Sequence, residues 1–69
     1  MNDPRTHPVP GAEVEVLGKD KSSRRVVLAV YQNKALLYQD LRTMAKRVTT
    51  FEAWRKWAFN GRVVSRGQE

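Results

Sequence analysis

Few residues in this chain have the chemistry or the spacing for catalysis. There is no cysteine, and the single histidine, His7, lies among three prolines. Ser22 and Ser23 have no histidine near them in the sequence to act as a general base, and a serine nucleophile needs one. Glu13 and Glu15 resemble a catalytic carboxylate pair, but alternation along a solvent-facing strand explains their spacing fully. We therefore expect no catalytic residue, no metal site and no cofactor, and a protein that is not an enzyme.

Basic residues dominate the charge of the chain. It holds 13 Lys and Arg against 7 Asp and Glu, a net charge of +6. Residues 19–66 contain 12 of these bases and three acids, a balance of +9. The summed field of such a segment attracts polyanions. The charge therefore favours a nucleic acid or an acidic protein surface as the partner, although bases that only keep a small protein soluble give the same count.

Two tyrosines flanked by arginines are the main candidate for a binding surface. Proteins that bind single strands combine aromatic stacking with phosphate neutralisation. A helix could instead cover these tyrosines, or they could be an ordinary cross-strand pair. The bases of two nearby turns would join the surface if both turns lie at one end of the domain. The predicted contacts to RNA or single-stranded DNA, with little sequence specificity, are Lys21, Arg24, Arg25, Tyr31, Tyr38, Arg42, Lys46 and Arg47.

A second candidate surface lies in the segment from Phe51 to Phe59, which holds four of the six aromatic residues. At 100° per residue, Phe51, Trp54 and Ala58 share one helix face, so we expect Trp54 in the core. Trp57 lies off this stripe, and it is either a further core residue or half-exposed beside a base. The alternative function is accordingly a protein-interaction module that meets an acidic partner through Trp57, Lys56 and Arg55.

The order of the predicted elements indicates a small, mainly β domain. Apolar alternation and turn residues predict strands over residues 13–16, 24–31, 36–41, 47–49 and 62–65. Thr50 is typical of a helix N-cap, and Asn60-Gly61 of a left-handed helix end. Four strands, a short helix and a fifth strand resemble the SH3-like small barrels over residues 12–66. The resemblance implies a five-stranded barrel and, by analogy, a bacterial or phage protein.

The turn between the second and third strands determines which side chains face the core. A two-residue turn at Asn33-Lys34 pairs Tyr31 with Leu36 and Val30 with Leu37. This register predicts a core face of Val26, Leu28, Val30, Leu37 and Leu41. The opposite face then carries Arg25, Val27, Ala29, Tyr31, Leu36, Tyr38 and Asp40, with Tyr31 and Tyr38 as diagonal neighbours.

The remaining expectations concern organisation. Residues 1–11 carry all three prolines, which predicts a disordered arm. Residues 12–66 form one domain, and residues 67–69 are a frayed tail. No apolar run approaches the roughly 20 residues that span a bilayer, and the start of the chain lacks the features of a secretory signal. We expect a cytoplasmic protein without membrane contact, either a monomer or a weak homodimer.

Overall fold

The computed structural model describes residues 3–32 and 34–67 as one antiparallel sheet with a short helix. The strands are β1 (Ala12–Leu17), β2 (Ser22–Tyr31), β3 (Ala35–Asp40), β4 (Lys46–Thr50) and β5 (Arg62–Arg66), and the helix is α1 (Phe51–Ala58). The predicted mainly β class, with one helix between the fourth and fifth strands, is confirmed. Within the described residues, the helix is not long and apolar enough to cross a membrane.

The sheet is open. Its strand order is β4-β3-β2-β1-β5, so within the described part of the chain β4 and β5 are edges that pair on one side each. The closed barrel that the element order predicts is therefore not confirmed. The edge strands are short and rich in Arg, Lys, Ser and Thr, residues that discourage pairing with another chain.

The predicted register of the β2–β3 hairpin is wrong by one residue. Tyr31 pairs with Ala35 and Val30 with Leu36, which leaves a connection of three residues where the sequence predicts two. Gln32 has a φ of 53°, so the left-handed conformation falls on this residue. Asn33, the first residue of the predicted two-residue turn, lies outside the described residues.

A β-bulge then changes which residues of β2 face the core. Val27 pairs with Tyr38, but Ala29 already pairs with Leu37, so Leu28 is an extra residue in its strand. Because a slip of one residue reverses the side chains, the predicted core face is largely reversed. Val27, Leu36 and Tyr38 are buried, and Leu28 is 37% exposed. Of the core residues predicted for this hairpin, Val30 packs against the core, because the bulge returns it to that face.

The helix covers the face of the sheet that carries Val27 and Leu36. Phe51, Trp54 and Ala58 are its buried residues, as the helical spacing predicts. Their partners in the core include Ala12, Val14 and the sheet residues named above. The Thr50 hydroxyl accepts a hydrogen bond of 3.1 Å from the amide of Ala53, which confirms the predicted N-cap.

The predicted left-handed helix end is wrong. Neither Asn60 nor Gly61 has a positive φ. Glycine is required at position 61 because the chain passes close to β1. A Cβ atom there would lie 2.8 Å from Val14 Cγ1 and 3.1 Å from both Ala58 O and Val16 Cγ2. This tight packing directs the chain from the helix into β5.

Over its described part, residues 3–10, the N-terminal arm packs on the helix. Pro4 and Pro8 are buried, and the Pro4 carbonyl accepts a hydrogen bond of 3.0 Å from the Trp54 indole N–H. The Arg5 guanidinium donates hydrogen bonds to the Asp3 carboxylate, which lowers the pKa of Asp3 below its usual 3.8. The prolines can pack here because the arm uses carbonyl groups, which proline retains, as acceptors. At the other terminus, Gly67 lies close to Ala12 and Pro10, and the rest of the predicted tail lies outside the described residues.

The face of the sheet opposite the helix is open and partly apolar; we call it the open face. Ala29, Leu37 and Val48 lie side by side across three strands on it. Val48 is 63% exposed, and Leu37 is partly buried. Leu37, which the sequence predicts for the core, therefore forms part of this uncovered surface.

Candidate functional site

Two basic turns meet at one end of the sheet. The β1–β2 and β3–β4 connections both lie at the end opposite the β2–β3 hairpin, because β2 pairs antiparallel with both of its neighbours. The amide of Leu41 donates a hydrogen bond of 2.9 Å to the carbonyl of Arg24, which joins the start of the β3–β4 connection to β2. We call this region the basic end; its bases are Lys19, Lys21, Arg24, Arg25, Arg42, Lys46 and Arg47.

A cavity of about 400 Å³ lies between the two turns. None of the described residues that line it is acidic, although Asp20 and Asp40 belong to the same turns. Its three bases are predicted contacts, Ser22 belongs to the same predicted turn without a role of its own, and Leu41 is predicted for the core. The lining residues are Lys21, Ser22, Arg24, Leu41 and Arg42.

The backbone of the β3–β4 turn is held by Asp40. Its Oδ1 accepts hydrogen bonds from the amides of Arg42 at 2.8 Å and Thr43 at 3.4 Å. The turn closes where the Met44 amide donates to the Asp40 carbonyl at 2.7 Å, with Met44 at a φ of 65°. Asp40 therefore orders the backbone that carries Arg42, while the Arg42 side chain stays exposed.

Arg24 is occupied by neighbouring carboxylates on the open face. Its guanidinium forms an ion pair with Glu13 and lies 4.0 Å from a carboxylate oxygen of Glu15. Glu15 also pairs with Arg62 at 2.7 Å. The two glutamates are thus charge partners of Arg24 and Arg62, and Arg24 contributes less free positive charge to the basic end than the sequence predicts.

The two predicted stacking tyrosines do not lie together. Tyr38 faces the helix and is 6% exposed, so its ring is covered. Tyr31 lies at the far end of β2, next to the hairpin, and is 47% exposed. The expectation of neighbouring rings is wrong because the longer connection and the bulge place them in different parts of the sheet. Neither ring is exposed within the basic end.

Arg25 joins two groups of residues that the sequence assigns to different functions. Its Cζ lies 4.5 Å from the ring centroid of Tyr38 and 4.1 Å from that of Trp57. Arg25 and Trp57 are both partly buried. The predicted nucleic-acid contact and the predicted protein contact are therefore parts of one cluster.

The other predicted protein contacts do not extend this cluster. Lys56 lies 3.7 Å from Glu52 in an exposed ion pair along the helix. The Arg55 Nε donates a hydrogen bond of 2.9 Å to the Thr6 carbonyl of the arm. Arg55 therefore holds the arm, and the three consecutive helix residues have different roles.

The remaining bases of the basic end are exposed. Lys46 and Arg47 begin β4, and Arg47 pairs with Tyr38 across the strands, so its side chain emerges on the helix-bearing face.

Within residues 3–32 and 34–67, no three carboxylate or imidazole groups lie close enough to hold a metal ion. No protein-family model, curated protein or solved structure matches the chain.

Proposed function

We propose that the protein is a small, non-enzymatic module that binds the phosphate backbone of RNA or single-stranded DNA at its basic end. The observation that supports this most is the cavity between the two turns, which Lys21 and Arg42 both line and where no described lining residue is acidic. Exposed lysines and arginines that surround a concave surface neutralise phosphates and release counterions. Such contacts carry no sequence information, so we expect little sequence specificity.

Stacking has a smaller part in this proposal than the sequence predicts. Tyr38 is covered, and Tyr31 lies at the hairpin end. Affinity would therefore come mainly from charge, which implies that binding weakens steeply as the salt concentration rises.

The order of elements is that of the SH3-like small barrels, and we infer that the fold is an open variant of that class. The proposed function does not depend on this fold assignment.

A titration with labelled oligonucleotides tests the proposal. Single-stranded RNA, single-stranded DNA and duplex DNA would be added at low salt and over a salt series, with fluorescence anisotropy as the readout. For Lys21→Glu with Arg42→Glu, we expect weaker binding and a log-salt slope smaller by about two units.

A matched variant separates the site from the net charge. Lys34→Glu with Arg66→Glu makes the same change of charge at the opposite end of the sheet, where both side chains are exposed. We expect this variant to keep most of the affinity. Equal losses in both variants would contradict a localised site. An absence of binding at low salt would refute the proposal and favour an acidic protein as the partner.

A further inference from the structure

The Arg25 guanidinium is held in a closed group of aromatic rings. Beyond its contacts over Tyr38 and Trp57, the ring of Trp54 lies 6.0 Å from that of Tyr38 and 5.0 Å from that of Trp57. Contacts of this kind stabilise the cation and restrict its rotamers. The orientation of the guanidinium is thus determined by the core rather than by a surface ion pair.

The N–H donors of Arg25 have no acceptor among the described residues. Its Nε is buried and has no hydrogen-bond partner in that part of the chain. The nearest acid across the strands is Asp40, but the hydrogen bonds to its Oδ1 come from backbone amides of its own turn. Among the described residues, neither an ion pair nor a hydrogen bond involves the Arg25 side chain. A buried donor without a partner calls for an explanation, and a bound ion or water is one that proteins commonly use.

Arg47 adds a second positive charge on the same face. It pairs directly with Tyr38, whereas Arg25 is diagonal to Tyr38 on the other neighbouring strand, so the two arginines flank one ring. Arg47 is exposed. Two arginines beside a covered aromatic ring, one with its orientation restricted and one exposed, suit an anion with several oxygens.

We infer that Arg25, positioned by Tyr38 and Trp57 and assisted by Arg47, is a subsite for one phosphate group of the bound nucleic acid. A guanidinium that packs over aromatic rings offers its donors in its own plane, which matches the oxygens of a phosphate. The subsite would read no base. The inference rests on the proposed function, since the phosphate belongs to the same ligand, and it assigns part of the affinity to the helix-bearing face.

The test follows the Arg25 side chain directly. Side-chain Nε–Hε resonances of the full chain would be recorded by NMR during titration with a single-stranded oligothymidylate and, separately, with inorganic phosphate. We expect the Arg25 resonance to shift with both probes. Arg25→Lys keeps the charge but loses the planar donors, so we expect oligothymidylate affinity to fall about tenfold. Arg66→Lys is the matched control, because Arg66 is exposed at the opposite end of the sheet, and we expect no loss there.

Two further measurements keep the outcome clear. Urea unfolding of Arg25→Lys shows whether the variant is folded under the binding conditions. Trp57→Phe retains a ring beside Arg25, so the shift of the Arg25 resonance should persist in that variant even if Arg25→Lys fails to fold.

The outcomes separate this inference from the proposed function. If oligothymidylate binds, and Lys21→Glu with Arg42→Glu weakens it, but the Arg25 resonance does not move and Arg25→Lys binds normally, the subsite is wrong and the function stands. If no oligonucleotide binds, the function fails. In that case a phosphate-induced shift at Arg25 would still support an anion site there. The absence of such a shift would overturn the anion site.

Discussion

Trp54 lies where the helix, the sheet and the N-terminal arm meet. It is fully buried, its ring contacts those of Tyr38 and Trp57, and its indole N–H bonds to the Pro4 carbonyl. A buried indole needs such a partner, because an unsatisfied donor in the core is costly. Trp57, one helical turn along, also lies against the Arg25 guanidinium. Two tryptophans three residues apart thus have different roles, one in the core and one beside a candidate anion site.

Gly61 is the residue whose substitution gives the clearest test of packing at this scale. In Gly61→Ala the new methyl group would lie 2.8 Å from Val14 Cγ1, so the end of the helix must move away from β1. We expect the free energy of unfolding to fall by about 1–3 kcal/mol in urea titrations. Asn60→Ala is the control, because its side chain is exposed. Equal stability of the two variants would show that the approach to β1 is not tight.

At the scale of elements, the β2–β3 hairpin determines which surface is core and which is open. The three-residue connection and the bulge at Leu28 place Val27 and Leu36 beneath the helix. Neighbouring leucines of β3 therefore have opposite environments. Leu36 is fully buried, and Leu37 faces the open side with Val48.

Leu36 and Leu37 provide a matched test of this register. Leu36→Ala removes buried methyl groups and leaves a cavity, so we expect it to cost about 2–5 kcal/mol of unfolding free energy. Leu37→Ala should cost clearly less, because its side chain is only partly covered. Chemical denaturation of both variants measures the difference. The reverse order would support the two-residue turn that the sequence predicts.

The N-terminal arm, predicted from the sequence to be disordered, packs on the helix over its described residues. Deletion of residues 1–8 would leave the Trp54 indole N–H without the Pro4 carbonyl, and we expect a loss of about 1–3 kcal/mol. Tryptophan emission should shift to longer wavelength as water reaches the ring.

Two controls complete the experiment on the arm. Thr6→Ala with His7→Ala changes exposed side chains of the arm and should leave both readouts nearly unchanged. Heteronuclear relaxation of the full chain should show residues 3–10 as rigid as the sheet. A mobile arm, together with unchanged stability after deletion, would restore the prediction of disorder.

The two ends of the sheet carry different elements of the molecule. The two basic turns lie at one end, and the β2–β3 hairpin and the start of β1 lie at the other. The helix and arm cover one face, and the other face is open. A phosphate backbone that follows the basic end would pass from the cavity to Arg47, which joins the two proposed contacts into one path.

Hydrogen exchange tests the open sheet at this scale. Amides of β1, β2 and β3 bond within the interior of the sheet, so they should exchange slowest. The outward amides of β4 and β5 have no strand beside them in the described structure and should exchange quickly. NMR-detected exchange into D₂O gives the rates residue by residue. Slow exchange at these outward amides would mean that the edges pair in solution, by closure of the barrel or by association.

The sequence by itself determined the local features of the fold. Alternation and turn residues predicted the five strands, and the helical spacing identified Phe51, Trp54 and Ala58 as the buried stripe. Thr50 was predictable as a cap because its hydroxyl bonds to an amide three residues away. The positive charge of the candidate binding surface was predictable from composition, since charge is counted without coordinates.

Only the tertiary structure decided which of these residues meet. Side-chain direction in a strand reverses with every residue, so the longer connection and the bulge moved Tyr38 away from solvent and brought Arg25 beneath Trp57. The docking of the arm depends on the carbonyl of Pro4, which no residue preference reports. Arg24 was predicted as a free base, but pairing of β1 with β2 placed it between two glutamates. Contacts between residues distant in sequence depend on register and packing, and local patterns do not contain that information.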